Sequence, residues 1–511
     1  MAQDNSRSKP SIDRALESIR KASDSWSARL TLIEEGVVTS VLNGIAKISG
    51  LPGVGFEELV RFHGNLYGIA FNIDPDEVGI VLLGDYSILK TGERAWRTGR
   101  VMDVPVGETL LGRVIDPLGQ PLDELGPLKT SLRWPIEKPA PHIMDRDPVS
   151  VPLQTGIKVI DAIVPVGRGQ RELILGDRQT GKTSIAISAI INQIGKEVLC
   201  VYCAIGQKAA VVAKVVSVLR EKGAMEHTIV IVTEGNDPSG LQYIAPYAAT
   251  SIAEYFMEKG RDVLIVYDDL TNHARAYREL SLLLKRPPGR EAFPGDIFYI
   301  HSRLLERATH LRKELGGGSL TALPIIETEA QNISAYIPTN LISITDGQLY
   351  LSPTLFELGI LPAVDIGKSV SRVGGKAQLA AYRSVTGSLK LAYAQFEELE
   401  NFARFGTRLD EASRTIIDHG ERIRECFKQE EFTVLSMPEQ MTILLALTES
   451  CFDRIALDTM REAMEQVRLS AGKLPEELVR RILSNADLSD DDRHLMLRTA
   501  TKAIEPFEKK A

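Results

Sequence analysis

The sequence has few cysteines, more acidic than basic residues, and no long uncharged apolar run. Four cysteines in 511 residues are too few for a disulfide framework and favour a reducing compartment. Nowhere do about 18 uncharged apolar residues follow one another, so no segment is predicted to span a bilayer. The net charge of −8 argues against a surface that coats nucleic acid, although it does not exclude a local basic groove.

The first residues also lack a targeting signal. MAQDNSRSKP mixes acidic and basic residues, and no apolar core follows it, unlike a secretory signal or a transit peptide. This start favours a bacterial or archaeal protein, although an organelle-encoded chain would look the same.

Two of the cysteines form a C-x-x-C pair inside an apolar run. Cys200 and Cys203 lie in VLCVYCAI, which is typical of a β-strand. On a strand, residues three positions apart point to opposite faces. We therefore expect two core thiols rather than a metal site or a disulfide.

Length and composition predict a folded protein of several domains. At about 100–200 residues per domain, the chain corresponds to about three or four domains, and 44% hydrophobic residues exclude wholesale disorder. Changes in hydrophobic pattern and in turn-residue frequency along the chain predict four segments. They are an amphipathic arm at 1–29, a β-barrel at 30–101, an α/β domain at 102–385 and a helical domain at 386–511.

The arm and the barrel are predicted from two different sequence patterns. Apolar residues at helical spacing predict an amphipathic helix in the arm, which either docks a partner or packs on its own domain; they are Ile12, Leu16, Ile19 and Trp26. From Glu35 to Val101, frequent glycines separate short apolar runs such as VVTSVL, GIAF and VGIVLLG. Short strands with frequent turn signals favour a small β-barrel.

The central segment alternates strand-like runs with helical patterns, which predicts a mostly parallel sheet covered by helices. The runs assigned to strands are LILG, VLCVYCAI, TIVIVT, DVLIVYDD, LPIIET and LISIT. The last segment is helical. Ser436 and Glu439 stand at capping-box spacing before an apolar run, and Ser489 precedes three aspartates that favour a helix N-terminus.

One motif carries recognisable chemistry. GDRQTGKT matches G-x-x-x-x-G-K-[ST], follows the strand-like RELIL and opens the helical SIAISAIINQI, which is the context of a phosphate-binding P-loop. Its glycines let the backbone amides approach a phosphate, and the lysine adds a positive charge. The predicted nucleotide-binding residues are Gly176, Asp177, Arg178, Gln179, Thr180, Gly181, Lys182 and Thr183.

An acidic strand end supplies the predicted metal site. RDVLIVYDDL places Asp268 and Asp269 at the carboxyl end of a strand, where ligands of a doubly wound sheet bind. We predict that Thr183 ligates Mg²⁺ and that Asp268 holds it through water. Asp269 has an alternative role as a helix N-cap.

Gln207 leaves the question of catalysis open at the level of chemistry. It follows the strand VLCVYCAI, where a glutamate would be a candidate general base. Glutamine cannot accept a proton in that way, but it can still orient a water. The absence of an N-K-x-D guanine signature favours adenine as the base.

Longer motifs identify a family. The collinear motifs are PLQTGIKVIDAIVPVGRGQRELILGDRQTGKT, AIGQK, YDDL, LLLKRPPGREAFPGDIFYIHSRLLERA, GGGSLTALPIIETEA and PAVDIGKSVSRVGG. With these motifs, the chain strongly resembles the alpha subunits of F-type ATP synthases over roughly residues 30 to 511. PAVDIGKSVS, residues 362–371, also matches the signature shared by the alpha and beta subunits.

The resemblance implies a β-barrel crown, a central P-loop (RecA-like) domain and a C-terminal helical bundle. It also implies three alpha and three beta subunits alternating around a gamma subunit in the central stalk, with the N-terminal arm holding the delta subunit of the peripheral stalk. The complex would lie on the cytoplasmic face of the cell membrane and couple ATP synthesis or hydrolysis to ion transport, without nucleic acid.

The resemblance assigns roles to two further residues. Beta-type chains carry a glutamate where Gln207 stands, so this chain would bind ATP or ADP with Mg²⁺ without turning it over. Arg372 in SVSRVGG resembles the arginine finger that reaches the nucleotide of a neighbouring beta subunit.

Two positions depart from the family pattern. Leu361 stands where an arginine usually contributes to the nucleotide pocket, and Gln429, Glu430 and Glu431 replace a Gln-x-Gln pair that encloses the adenine. A lost cation and a gained carboxylate both disfavour an anionic ligand. We therefore expect weak or readily exchanged Mg-ATP with Gln429 still in contact, and a divergent branch of F-type enzymes.

Three alternatives make different predictions. A catalytic homohexameric export-type ATPase predicts a glutamate at position 207 and activity of the isolated chain. A hexameric RNA helicase predicts a basic channel and base-stacking aromatics. The chain has only 6% aromatic residues and a negative net charge, and both disfavour this alternative. A structural scaffold with a vestigial P-loop predicts that Arg372 can be removed without loss of ATP turnover.

Overall fold

The computed structural model describes residues 34–404 and 410–507, together with Leu16 and Arg20. Leu16 and Arg20 are helical and exposed, while the rest of the predicted arm, including Ile12, Ile19 and Trp26, lies outside the described residues. The amphipathic arm at 1–29 therefore stays a prediction.

Six antiparallel strands close the predicted barrel. Their order around it is β1-β2-β5-β4-β3-β6, and β6 pairs back to β1, so every edge finds a partner. Residues such as Val38, Ile48 and Ile80 fill the interior. The strands are β1 (Glu35–Leu42), β2 (Ile45–Ser49), β3 (Glu58–Arg61), β4 (Tyr67–Ile73), β5 (Val78–Leu82) and β6 (Arg94–Val101).

An eight-stranded sheet forms the centre of the molecule, in the order β18-β17-β12-β16-β15-β13-β14-β8. Its pairs are parallel except β17 with β18. The strands after the barrel are β7 (Asp103–Pro105), β8 (Val114–Ile115), β9 (Arg133–Pro135), β10 (Pro152–Leu153), β11 (Val166–Gly167), β12 (Glu172–Gly176), β13 (Val198–Gln207), β14 (Thr228–Glu234), β15 (Asp262–Asp268), β16 (Ser319–Glu327), β17 (Gly347–Leu351) and β18 (Val370–Ser371). Strands β7 with β9 and β10 with β11 form two small sheets.

Helices cover both faces of this sheet, as predicted for an α/β domain. Those of the central segment are α1 (Lys158–Ile163), α2 (Lys182–Ile191), α3 (Ala209–Glu221), α4 (Ser239–Glu258), α5 (Leu270–Leu283), α6 (Ile297–Leu305), α7 (Tyr336–Ile344), α8 (Pro353–Glu357) and α9 (Gly374–Ala377). Short 3-10 turns lie at His63–Asn65, Glu108–Leu110, Ile143–Asp145, Met225–His227, Arg290–Ala292, Lys313–Leu315 and Glu505–Phe507.

The two cysteines of the C-x-x-C pair lie on opposite faces of strand β13, as predicted. Both are fully buried free thiols. Cys200 packs in the cluster that continues into the C-terminal helices, whereas Cys203 packs in the cluster beneath α4 and α5. Burial raises the pKa of both thiols, which fits inert core residues.

The assignment of LISIT, residues 341–345, to a strand is wrong. The run forms the end of helix α7, and the strand β17 begins only at Gly347. Ile337, Leu341 and Ile344 are buried at spacings of four and three, while Ser343 is exposed. A short apolar run fits a buried strand and a helix face equally well, and here the helical spacing only becomes visible when the residues before it are included.

The C-terminal segment is helical, as predicted, and its caps confirm the sequence signals. The main-chain amide and the hydroxyl of Ser436 each donate to the Glu439 carboxylate at 2.7 Å, and the hydroxyl of Ser489 accepts from the Asp492 amide at 3.2 Å. The helices are α10 (Ala380–Thr386), α11 (Leu389–Arg404), α12 (Glu411–Phe427), α13 (Met437–Thr448), α14 (Met460–Ala471), α15 (Glu476–Leu483) and α16 (Asp490–Ile504).

None of the helices within the described residues is long and apolar enough to cross a membrane. The order of barrel, α/β sheet and helical bundle agrees with the predicted fold class. The domain limits near 30, 102 and 386 stay predictions.

Candidate nucleotide site and interface arginine

The loop between β12 and α2 has the backbone that the motif predicts. At Gly176 a Cβ would lie 2.7 Å from the Leu351 carbonyl oxygen, so the neighbouring strand leaves no room for a side chain. Gly181 has a φ of +93°, which favours glycine, and α2 begins at the next residue. The helix N-terminus therefore faces the loop, where its free amides attract an anion.

Lys182 is buried inside this loop. Its ammonium donates to the carbonyl oxygens of Gly176 at 2.9 Å and Asp177 at 2.6 Å. Burial lowers its pKa. Both of these hydrogen bonds go to neutral carbonyls, so its charge is still available to a bound phosphate.

A cluster of polar groups surrounds the Asp268 carboxylate at the end of β15. The hydroxyls of Thr183 and Tyr202 donate to its Oδ2 at 2.8 and 2.7 Å, and the Gln207 amide donates to its Oδ1 at 3.1 Å. Burial raises the pKa of Asp268, against the lowering effect of the two hydroxyls.

This donor set fits Mg²⁺. A hydroxyl and a carboxylate side by side are hard oxygen ligands, and Mg²⁺ commonly takes one or two protein carboxylates together with phosphates and water. Within the described residues there is no group of three or more His, Cys, Asp or Glu side chains that could form an all-protein metal cage. Thr183 and Asp268 are the residues that would hold the ion.

Asp269 serves the fold locally. Its carboxylate accepts from the Asn272 amide at 2.8 Å and caps helix α5. Burial, followed by the neighbouring charge of Asp268, raises its pKa to about 7. The N-cap alternative considered for Asp269 is therefore confirmed.

The segment after β16 braces the outer side of the P-loop. The Arg178 guanidinium donates to Glu327 at 3.0 Å, and the Asp177 carboxylate accepts from the Thr328 hydroxyl at 2.5 Å and from the Gln331 amide. Side chains at 177 and 178 thus hold the loop rather than line its interior.

A small cavity of about 30 Å³ lies beside the P-loop. Apolar side chains form much of its wall, with polar groups at its rim. The Glu431 carboxylate accepts from the Ser184 hydroxyl at 3.0 Å across this rim. The lining residues are Ile157, Thr180, Gly181, Ser184, Ile185, Ser188, Leu361, Pro362, Gln429, Glu430, Glu431 and Thr433.

Gln429 also ties together the segments that enclose the cavity. Its side-chain oxygen accepts from the Lys158 amide at 3.1 Å. Its side-chain nitrogen donates to the carbonyl oxygens of Gly156 at 2.7 Å and Thr433 at 2.6 Å. These bonds fix the rim that carries Glu431.

Arg372 lies at the opposite end of the sheet. Ser371 pairs with Gly347, which stands level with Glu172 at the amino end of β12, whereas the P-loop leaves the carboxyl end at Gly176. Four residues of strand separate these levels by roughly 13 Å. Arg372 is exposed, and its guanidinium donates to the carbonyl oxygens of Thr345 and Ile342 at 3.3 and 3.4 Å.

The structure thus gathers the predicted P-loop residues, Gln207, Asp268 and Gln429 around one end of the sheet and sets Arg372 apart. Sequence reasoning missed Tyr202 and Ser184 as members of this site. Tyr202 lies two residues before Ala204, which pairs with Asp268, so a correct strand register would have revealed it. The contact of Ser184 with Glu431 spans 247 positions and left no signal in the local pattern.

Family models match three successive parts of the chain. The beta-barrel domain of the ATP synthase alpha/beta family matches residues 33–99. The nucleotide-binding domain of that family matches residues 156–371, and the C-terminal domain of the ATP synthase alpha/beta chain matches residues 378–503. The order is that of the barrel, the sheet with its P-loop, and the helical bundle.

Curated relatives resemble the chain over nearly all of its length. ATP synthase subunit alpha 1 of Chlorobium luteolum is 73% identical over 97% of this chain and 97% of its own length. ATP synthase subunit alpha 2 of Polaromonas naphthalenivorans is 68% identical over 98% of this chain and 96% of its own. ATP synthase subunit alpha 1 of Marinomonas sp. is 68% identical over 97% of each chain.

Proposed function

The chain belongs to the ATP synthase alpha/beta family as an alpha subunit of the F1 sector, and we propose that its own site holds Mg-ATP or Mg-ADP without hydrolysing it. The observation that carries this proposal is the side chain facing Asp268. Gln207 donates its amide to that carboxylate and offers no base to a water. Bound Mg²⁺ would neutralise phosphate charge, while Lys182 and the loop amides would orient the phosphates.

Arg372 is proposed to act on a neighbouring subunit. It is exposed at the end of the sheet that lies away from its own P-loop, so it cannot reach a nucleotide bound there. Delivered in trans to a beta subunit, a guanidinium stabilises charge on the transferring phosphoryl group. The alpha subunit would then contribute to catalysis at a site that is not its own.

The family organisation extends this proposal to partners. Three alpha and three beta subunits would alternate around a gamma subunit, the N-terminal arm would hold the delta subunit and peripheral stalk, and the ring would be peripheral to the cytoplasmic face of the membrane. ATP synthesis or hydrolysis would be coupled to ion transport through that assembly.

The affinity of the alpha site is proposed to be low. Leu361 supplies no cation to the cavity, and Glu431 places a carboxylate at its rim beside Ser184. Both features disfavour an anionic ligand. Such a pocket fits a divergent branch of F-type enzymes.

The test uses the isolated chain and the complex assembled with its beta and gamma subunits. Calorimetry on the isolated chain should give a Mg-ATP dissociation constant above 1 µM, and the isolated chain should not release phosphate. Sub-micromolar affinity would count against the weak site, and steady turnover by the isolated chain would favour the homohexameric alternative. In the complex, Arg372→Ala should abolish most ATP turnover while the ring still assembles; normal turnover would favour the scaffold alternative.

A further inference from the structure

The amino end of strand β12 carries a buried carboxyl beneath the segment that presents Arg372. Glu172 is fully buried. It pairs with Gly347 on β17, and Gly347 pairs with Ser371 on β18. Glu172 and Ser371, the residue before Arg372, thus stand at the same level of the sheet, with strand β17 between them.

A short chain of hydrogen bonds connects the two. The Gln170 side-chain nitrogen donates to the Glu172 carboxyl at 2.7 Å and to the Ser371 hydroxyl at 3.0 Å. The Ser371 hydroxyl in turn donates to the Pro165 carbonyl at 2.8 Å and accepts from the Gly374 amide at 3.0 Å. The network therefore holds the chain on both sides of Arg372.

The carboxyl lies close against the strand pair that carries this segment. A Cβ on Gly347 would lie 2.4 Å from a Glu172 carboxyl oxygen and 2.3 Å from the Val370 carbonyl oxygen. The space that glycine leaves is thus filled from two sides by the carboxyl and by β18. A displacement of the Glu172 carboxyl would therefore also shift β18, because packed interiors leave little free volume.

Glu172 is expected to be uncharged in this position. Burial raises its pKa well above the usual range, the nearby Asp346 raises it further, and Gln170 and Arg372 lower it. Among the described residues, its Oε1 atom has no hydrogen-bond partner. An ionised carboxylate left in that state would be very costly.

The direct hydrogen bonds that hold the guanidinium of Arg372 are weak. Its two guanidinium bonds, at 3.3 and 3.4 Å, go to the carbonyl oxygens at the end of α7 and are long for N–H···O bonds. The direction of its side chain therefore depends on how firmly the backbone at residues 370–374 is held.

We propose that Glu172, acting through Gln170 and Ser371, is a positioning residue for the arginine that this subunit offers to its neighbour. This inference rests on the proposed function of Arg372. A displacement of about 1 Å at a reacting group can cost on the order of a hundredfold in rate, so the network beneath Arg372 controls turnover at the beta site without touching its nucleotide.

The experiment compares Glu172→Ala, Glu172→Gln, Arg372→Ala and the double variant Glu172→Ala/Arg372→Ala in the complex assembled with beta and gamma. Glu172→Ala should lower kcat roughly ten- to a hundredfold with little change in KM for Mg-ATP. Glu172→Gln is isosteric with the neutral carboxyl and should restore most of the turnover. The double variant should be no slower than Arg372→Ala alone, because Glu172 acts through Arg372.

Two controls separate positioning from general stability. Nucleotide binding at the alpha P-loop should be unchanged in Glu172→Ala, because that loop leaves the other end of β12. Glu254→Gln weakens a buried pair with Arg307 elsewhere in the same domain, and it should lower the melting temperature without lowering turnover per assembled complex.

The outcomes are distinct. If Arg372→Ala turns over normally, the proposed function fails and this inference fails with it. If Arg372→Ala is slow but Glu172→Ala is normal, only this inference is overturned. It is also overturned if Glu172→Gln is as slow as Glu172→Ala, if the losses are additive in the double variant, or if Glu172→Ala loses binding at the alpha P-loop to the same extent.

Discussion

The two ends of strand β12 differ in what their polar groups contact. Its carboxyl end runs into a glycine loop, a buried lysine and a helix N-terminus, which together form the candidate phosphate-binding loop. At and just before its amino end, Gln170, Arg171 and Glu172 form hydrogen bonds with one another and with neighbouring segments. A single short strand thus leads into the candidate binding loop at one end and begins beside the support of an outward-facing arginine at the other.

Arg171 shows how strongly the amino end is braced. Its main-chain amide and guanidinium bind the Asp346 carboxylate at 2.8–3.0 Å, and the guanidinium also pairs with Glu306. The Asp346 carbonyl oxygen accepts from the Arg372 amide at 2.9 Å. The charges of Arg171, Asp346 and Glu306 therefore serve rigidity, whereas the charge of Lys182 at the other end is available to a ligand.

The largest effect is expected at the amino end. In the assembled complex, Arg372→Ala should lower ATP turnover on the order of a thousandfold, because an arginine supplied in trans contributes about that much or more where it has been measured. Steady-state hydrolysis measures the change. Arg372→Lys is the matched control and should recover only part of the rate, since a lysine lacks the planar fork of donors. A near-normal rate for Arg372→Ala would show that the amino end of the sheet does not contribute to ATP turnover.

A change at the carboxyl end should have the reverse pattern. Lys182→Ala should weaken Mg-ATP binding by the isolated chain roughly tenfold or more, because it removes charge-assisted hydrogen bonds to phosphate that are worth about 1.5–3 kcal/mol. Calorimetry measures this affinity. Turnover at the beta sites should fall much less than in Arg372→Ala. Equal losses of turnover in both variants would mean that the two ends do not act separately.

A smaller gain is expected at the rim of the cavity. Glu431→Gln removes a carboxylate but can keep a hydrogen bond with Ser184, so Mg-ATP affinity should rise by a few-fold, the effect expected when a partly exposed charge is removed. Titration at low and high salt provides the control, because the gain should shrink when charges are screened. An unchanged or lower affinity would show that Glu431 is not the cause of a weak site.

The smallest functional effect is expected from a packing change far from both ends. Gly420 lies on α12 where a Cβ would come within 2.0–2.3 Å of the Phe396 side chain, so Gly420→Ala should lower the free energy of unfolding by about 1–3 kcal/mol. Thermal or denaturant unfolding measures this loss. Neither Mg-ATP affinity nor turnover per assembled complex should change, and a change in either would extend the functional network into the helical bundle.

Sequence reasoning predicted most of the fold but misassigned one element. The barrel follows from short apolar runs separated by turn signals, the parallel sheet from apolar runs that alternate with helical segments, and the helical end from capping signals before apolar runs. The run at 341–345 is too short for that. It became the end of α7 because Tyr336 and Ile337 extend it into a buried helical face, and those residues lie outside the run itself.

The site divides in the same way. The P-loop residues, Asp268 and Gln207 are predictable because they lie in short recognisable motifs at the ends of strands. Glu172 lies in the same stretch of sequence, only four residues before Gly176, and nothing in its neighbours distinguishes it from an ordinary strand residue. Its proposed role depends on Ser371, which is 199 positions away and is connected to it through Gln170 and through the β17–β18 pair.

The sequence by itself determined the family, the phosphate loop and the identity of the residue at position 207, because these depend on residue type and local spacing. The tertiary structure decided which end of the sheet each group occupies, which carboxyls are fully buried, and which arginine faces outward. Strand order and register bring together residues hundreds of positions apart, and burial then sets their protonation and their available charge. Those properties arise from packing and solvent exclusion, which no local pattern of residues contains.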